Sequence, residues 1–239
     1  MLPLRRWSVA HARWWGVLGP AILVAGTSAA AWGYTPVHGY GYSFLNRAIS
    51  DLGDTRDSPW AAFFNGGMIV GATMLAMFNY GIGQRMNTRR SPRIAAVGML
   101  GSLGMALIGV FPSAPPTQGA HLVVAAVAFI CTVALGLSFT LDMLVTPQTV
   151  LPQWLILPGA LSAACSGSFL LAMLVSRAEV LPREALQFGV AGPRPLVDLV
   201  PLLEWSVLFS ILLWAFLTAA SFREDRADLN AEPELGPKS

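Results

Sequence analysis

The sequence contains little charge. Charged residues make up 12% of its 239 residues and hydrophobic residues 54%, whereas about a quarter of the residues in a soluble domain are charged. A water-soluble fold could not hide so much apolar surface, so a soluble globular domain is excluded. The net charge of +2 is too small for a nucleic-acid-binding protein, and the arginines form short groups beside apolar runs in place of a continuous basic stripe. Nucleic acid is therefore excluded as a partner.

Cysteine and lysine are also scarce. The two cysteines, Cys131 and Cys165, both lie in apolar runs, which indicates buried thiols and no disulfide framework. The only lysine, Lys238, is typical of a genome rich in guanine and cytosine, as in actinobacteria. The sequence has no phosphate-binding loop, nucleophile elbow or dinucleotide fingerprint. The sequence therefore gives no support for the enzyme classes that these motifs identify.

What the sequence does contain is six long apolar runs. Each is near the ~20 residues needed to cross a hydrocarbon layer of ~30 Å. They predict an all-α, polytopic integral membrane protein with six transmembrane helices in one bundle, at 14–33, 60–84, 94–111, 121–141, 154–176 and 201–222. The first run follows three arginines and could be read as a secretory signal, but it is long enough to span, so we expect an uncleaved helix. Residues 1–13 would precede the membrane domain 14–222, and 223–239 would form a disordered cytoplasmic tail.

The arginines predict the orientation. Ten of the fifteen basic residues lie in 1–13, in the loop 85–93 and in the tail 223–239, which an even number of spans places on one side. By the positive-inside rule that side is the cytoplasm. We therefore expect a multi-pass protein of the inner, or plasma, membrane with both termini in the cytoplasm.

Small residues recur inside the spans. Gly67 and Gly71 form a Gly-x-x-x-Gly pair, and the third and fifth spans are also rich in glycine, serine and alanine. Such positions let helix backbones approach closely in lipid. They predict close packing within the chain, with a dimerisation face as the alternative.

The densest polar segment between the spans is 42–59. Its apolar residues from Leu45 to Leu52 fall at helical spacing, and Gly53 provides a helix stop. We expect a short interfacial helix across the outer mouth of the bundle, with Arg47 and Asp51 one turn apart.

Three further polar residues are expected at a similar depth, near the outer ends of the second, fourth and sixth spans. Ionisable groups at that depth are costly unless they are paired or wet, so convergence in one outer pocket is expected. The candidate ligand-binding residues of this pocket are Asn46, Arg47, Ser50, Asp51, Asn65, His121 and Glu204.

Each candidate also has a purely structural interpretation. Asp51 could pair with Arg47 or cap backbone amides, and His121 could bond only the neighbouring loop. Arg194 or His121 could satisfy Glu204, and Asn65 could link two helices.

Several segments together carry a family resemblance: residues 46–53, Pro59, Asn65, Gly109-x-Phe111-Pro112 followed by His121, and Glu204 with Leu213-Trp214. Over about residues 14–222 they resemble the bacterial six-helix membrane family called domain of unknown function 998. They are more remotely similar to the eukaryotic DRAM and FRAG-like membrane proteins. The resemblance implies the six-helix fold, and the eukaryotic relatives point to lipid handling or membrane organisation. Trp205 stands where a basic residue is expected.

Three functions follow as hypotheses. The favoured one is a non-catalytic protein whose outer pocket binds a membrane lipid, with Arg47 or Arg56 facing phosphate, or which docks another membrane protein as an accessory or scaffold subunit. No cofactor is expected.

The second hypothesis is a metal-dependent lipid hydrolase with Asp51, His121 and Glu204 as ligands and one open position for water. It differs from ceramidase-type enzymes, which use several histidines. The third is a small-solute transporter, against which the sequence has neither an internal repeat nor a charge near the middle of a span.

Overall fold

The computed structural model describes residues 3–35, 41–56, 58–86, 88–146, 151–177 and 196–222, with only the backbone described for 3–9 and 176–177. These residues form helices and no strand. The six long helices are α1 (Pro3–Trp32), α2 (Ala61–Met86), α3 (Ser91–Val110), α4 (Gln118–Val145), α5 (Ile156–Arg177) and α6 (Leu199–Ala220). Two short 3-10 helices, Ile49–Gly53 and Gln153–Leu155, precede α2 and α5. The predicted all-α, six-helix fold is confirmed.

Each long helix contains a stretch that is long and apolar enough to cross a membrane. The helices extend beyond the apolar runs in places: α1 begins at Pro3 and α4 continues to Val145. The reason is that hydropathy marks the part of a helix suited to hydrocarbon, while backbone hydrogen bonding continues past it. At ~1.5 Å per residue the 28 residues of α4 span roughly 42 Å, more than the ~30 Å hydrocarbon layer. The predicted tail 223–239 lies outside the described residues.

The helices form a closed ring. Each one packs against the next in sequence, and α6 packs against α1. In the half of the bundle nearer the α2–α3 loop, the centre is filled by Phe78, Phe139 and Trp214 from α2, α4 and α6. The Trp214 ring lies 6.0 Å from that of Phe78 and 5.3 Å from that of Phe139, both edge-on. We call this the packed half.

Close backbone approach brings α1 and α2 together. A Cβ added at Gly71 would lie 2.8 Å from the carbonyl oxygen of Gly19, and one at Gly67 would lie 3.3 Å from the Cα of Gly26. No side chain larger than hydrogen fits at Gly71 without moving α1. The predicted packing within the chain is therefore confirmed for this glycine pair.

The outward faces of the helices carry large apolar side chains. Leu157 is 73% exposed, Val123 64% and Leu171 62%. Such a surface would aggregate in water, whereas lipid tails solvate it. The chain is a multi-pass membrane protein.

Candidate functional site

Residues 41–56 lie across one end of the bundle, and we call this segment the cover. Its 3-10 helix, Ile49–Gly53, contacts α1, α2 and α6. The helix begins four residues later than the spacing from Leu45 predicts, so Arg47 lies before it and not one turn from Asp51. It ends at Gly53, which is where the sequence places the stop.

Hydrogen bonds fix the cover to three parts of the bundle. The Ile49 amide donates to Glu204 Oε2 in α6 at 3.0 Å. Asn65 Nδ2 in α2 donates to the Gly53 carbonyl at 3.0 Å, and Ser113 Oγ in the α3–α4 loop donates to the Ser50 carbonyl at 3.0 Å. Asn65 therefore links α2 to the cover and not to a second long helix. These bonds hold the cover by its backbone.

An aromatic cluster binds Arg47. Its guanidinium lies 5.1 Å from the Tyr34 ring centroid, and Nη1 donates to the Tyr34 hydroxyl at 2.8 Å. The Trp205 indole donates to the Arg47 carbonyl at 3.3 Å, and the Tyr42 hydroxyl donates to the Ala48 carbonyl at 3.0 Å. Arg47 thus anchors the cover to the segment that follows α1.

The pKa of Tyr42 is shifted by its burial and by the acidic residues around it. Burial, and after it the carboxylates of Glu204 and Asp51, raise the pKa of Tyr42 above its ordinary value. The phenol therefore keeps its proton and remains a donor. The same contribution places Asp51 and Glu204 in one electronegative region at this end of the bundle.

The remaining arginine of the cover is also engaged. Arg56 Nε donates to Asp54 Oδ1 at 3.0 Å, and Nη2 contacts Oδ2. Burial works toward a higher pKa for Asp54, but the hydrogen bonds and charge of Arg56 outweigh it and lower the pKa below its ordinary value. Neither Arg47 nor Arg56 lines the cavity described next, so the expected contact with a headgroup phosphate has no geometric support there.

His121 lies at the start of α4 with its side chain buried. Its Nδ1 is 2.8 Å from the carbonyl oxygen of Phe111, the residue that ends α3. A carbonyl only accepts, so Nδ1 carries the proton and satisfies one of the carbonyl groups that a helix end leaves without a partner. This is the structural role that the sequence left open. Nε2 makes no hydrogen bond to any residue in the described ranges.

Beneath the cover lies a cavity of about 50 Å³. Ser50, His121 and Glu204 form its polar end, and Thr132 lies deeper. Its other walls are apolar side chains of the cover and of α2, α3, α4 and α6, among them Phe64, Met68, Met105, Ile108, Leu208 and Ile211. His121 and Thr132 are eleven residues apart on α4, which corresponds to roughly 16 Å along the helix. The cavity is therefore a narrow, mostly apolar slot with one polar end.

The chain is similar to one known protein family. The chain matches the family described as "Protein of unknown function (DUF998)" over residues 10–221, from α1 to the end of α6. The chain belongs to the DUF998 family. No curated protein and no solved structure matches it.

In this DUF998 protein the seven candidate residues separate into two groups. Ser50, His121 and Glu204 meet at the cavity. Asn46, Arg47, Asp51 and Asn65 lie near the same end but do not line it. Asn46 is half-buried in the turn before the 3-10 helix, with its amide bonded to the Ser43 carbonyl.

The metal-ligand hypothesis has no assembled site. Among the described residues, no three His, Cys, Asp or Glu side chains come close enough to hold a metal ion. Of the expected triad, His121 and Glu204 share the cavity and Asp51 does not. Arg194, one of the two partners considered for Glu204, lies outside the described residues; the Ile49 amide donates to Glu204.

Sequence reasoning missed several residues that position this DUF998 site. Asp198 caps α6, accepting from the Val200 amide at 3.1 Å, and its own amide donates to the Leu45 carbonyl at 2.8 Å. An aspartate before an apolar run is a recognised helix start, so this residue was detectable. Tyr34 and Ser113 carry no such signal, because their roles depend on contacts with distant segments.

Proposed function

We propose that this DUF998 protein is a non-catalytic membrane protein that binds part of an amphiphilic lipid in the slot beneath the cover. The single observation that supports this most is the distribution of polarity in the slot. Ser50, His121 and Glu204 lie at one end, and the walls along the rest of the slot are mostly apolar. An amphiphile has the same distribution, with a polar head and an alkyl chain.

The size of the slot limits what enters it. A water molecule needs roughly 10 to 15 Å³ of such volume, so about 50 Å³ takes only a few water-sized groups. We infer that a small head and the first carbons of a chain enter, and that the remainder stays in the bilayer. A bulky headgroup is not compatible with this volume.

Catalysis is not part of the proposal. Activation of water by a metal needs a complete set of ligands, and the described residues do not bring one together. The expectation of a second membrane protein as partner stays a prediction.

The test is lipid retention. We expect native mass spectrometry of the purified full chain to show a bound lipid that Ala125→Leu displaces, because Ala125 lines the slot. Ala126→Leu is the matched control, since Ala126 is exposed on the outer face of the same helix. A wild-type chain without bound lipid, or retention unchanged in Ala125→Leu, would contradict the proposal.

We also infer the location: the plasma membrane, with the cover outside and the α2–α3 loop in the cytoplasm. The basis is the arginine-rich loop 85–93. With Cys131 and Cys165 replaced by alanine, an impermeant maleimide added to intact cells should label Thr55→Cys in the cover and not Arg89→Cys. Both positions are exposed. The reverse labelling pattern would show that the cover faces the cytoplasm.

A further inference from the structure

The protons of two of the polar groups in the slot, on His121 and Thr132, are directed to backbone carbonyl groups of the protein. The described residues that line it include four with polar side chains: Ser50, His121, Thr132 and Glu204. Which of them can still donate a hydrogen bond decides what head the slot can hold.

His121 and Thr132 offer only acceptors. His121 Nδ1 donates to the Phe111 carbonyl, so Nε2 of the neutral ring has a lone pair and no hydrogen. The Thr132 hydroxyl donates to the Ala128 carbonyl one turn earlier at 2.8 Å, which leaves its oxygen as an acceptor. The deep end of the slot therefore provides no donor either.

Glu204 and Ser50 complete the pattern. Glu204 accepts from the Ile49 amide at 3.0 Å. The Ser50 hydroxyl lies at the same end of the slot and can donate or accept. The Glu204 oxygens keep further lone pairs that can accept from a ligand.

Among the described residues, no cation lines the slot to compensate for this surplus of acceptors. None of the described residues that line the slot is arginine or lysine. Arg47 lies on Tyr34, and Arg56 lies on Asp54. Asp51 adds a second carboxylate within electrostatic reach of Glu204. Among the described lining residues, an anionic head at this end of the slot would meet acceptors on Glu204 and His121, with the Ser50 hydroxyl as a donor and no cation.

We propose that the slot selects an amphiphile whose small head donates hydrogen bonds and carries no negative charge, as a hydroxyl or an ammonium group does. Phosphate and carboxylate heads are rejected. This rests on the proposed lipid binding and names the chemistry of its ligand. A donor on the ligand would then form hydrogen bonds with acceptors on Glu204 and His121 at the polar end of the slot.

Four probes with the same oleoyl chain test the proposal: 1-monooleoylglycerol, oleylamine, oleic acid and oleoyl lysophosphatidic acid. Binding to the full chain in detergent micelles is measured by native mass spectrometry and by thermal stabilisation, at pH 6 and pH 9. We expect the glycerol or the amine probe to bind at least about tenfold more tightly than the lysophosphatidic acid at each pH, since one unsatisfied polar contact is worth about that factor. The same difference is expected against oleic acid at pH 9, where its carboxyl group is ionised. The comparison of the first two probes distinguishes hydroxyl from ammonium.

Two variants identify the site of selection. Glu204→Gln retains an acceptor for the Ile49 amide and adds an N–H₂ donor, so discrimination against the acids should fall severalfold. Asp142→Asn makes the same change at the other end of the bundle and should leave it unchanged. Acids that bind as tightly as the donor probes, or discrimination that survives Glu204→Gln, would overturn this inference while leaving lipid binding intact. Failure of all four probes to bind would overturn the proposed function as well.

Discussion

Two carboxylates lie at opposite ends of this bundle, Asp142 buried and Glu204 half-buried, and their surroundings differ. Asp142, near the end of α4, is 1% exposed. It accepts from the Thr88 hydroxyl at 2.9 Å, and Arg90 Nη1 lies 3.7 Å away. Glu204, in the first turns of α6, accepts from a backbone amide of the cover and borders a cavity that no arginine lines among the described residues.

The difference separates a structural carboxylate from one that has room for a ligand. A charge inside a membrane protein persists only if it is paired, hydrogen bonded or wet. Asp142 meets this condition with a neighbouring cation and hydroxyl groups, next to an aromatic core. Glu204 meets the condition in part, through its hydrogen bond with the Ile49 amide of the cover. Its remaining lone pairs are open to whatever occupies the slot. The sequence alone identifies Glu204 as a candidate but does not show what either carboxylate is bonded to.

The largest expected effect tests whether the two halves differ in packing. Phe139→Ala removes a fully buried ring that contacts Trp214. It should lower the free energy of unfolding by about 3 kcal/mol or more. Met105→Ala, at the slot wall, should cost less, about 2 kcal/mol, because Met105 borders empty space and has fewer contacts to lose. Unfolding by dodecyl sulfate in mixed micelles measures both losses of stability. Equal losses would show that the two halves of the bundle do not differ in packing.

The next effect compares the partners of the two carboxylates. Thr88→Val deletes the donor to Asp142 and an acceptor for the Ser91 amide at 3.1 Å. About 1.5 to 3 kcal/mol of stability should be lost, as for other hydrogen bonds to charged groups.

Its counterpart is Ser50→Ala at Glu204, where about 1 kcal/mol or less should be lost. The Ile49 amide still donates there, and water can enter the slot. The same unfolding assay measures both losses of stability. A larger loss for Ser50→Ala than for Thr88→Val would show that Glu204, and not Asp142, is the structural carboxylate.

A hydrogen bond that involves neither carboxylate sets the scale. Asn79 Nδ2 of α2 donates to Ser102 Oγ of α3 at 3.0 Å and to the Gly98 carbonyl at 3.2 Å. Ser102→Ala should cost about 0.6 kcal/mol, the average for such bonds between membrane helices. Ser206→Ala is the control, because its hydroxyl donates to the Leu202 carbonyl in the same helix. A loss above about 2 kcal/mol would show that these bonds are stronger than the average implies.

The smallest effect is the pH dependence of the cover. Since the pKa of Asp54 is lowered in the folded state, its stabilisation is fully present above the ordinary aspartate value of ~3.9 and is lost as the pH falls through the folded value. Arg56 is exposed, so the effect is screened and small. Asp54→Asn should therefore lower thermal stability slightly at pH 7 and not at the acidic end of the titration. A difference that grows as the pH falls would contradict this sign.

The parts of the site that were predictable share one property. Ser50, His121 and Glu204 were identifiable because polar side chains beside apolar runs are costly, and two of them reached the cavity from different helices. The Ile49 amide, the Phe111 carbonyl and the Arg47–Tyr34 contact were not identifiable. Backbone groups are the same in every residue, and a contact between distant segments leaves no local pattern.

The sequence by itself determined the solvent and the helices, because about twenty consecutive apolar residues have one stable arrangement in a bilayer, in which each helix satisfies its own backbone hydrogen bonds. Only the tertiary structure decided which polar groups meet, because that depends on the rotation of each helix about its axis and on the path of the cover between them. These in turn are set by close glycine contacts and by the central packing of Phe78, Phe139 and Trp214. The same packing leaves the slot at the covered end.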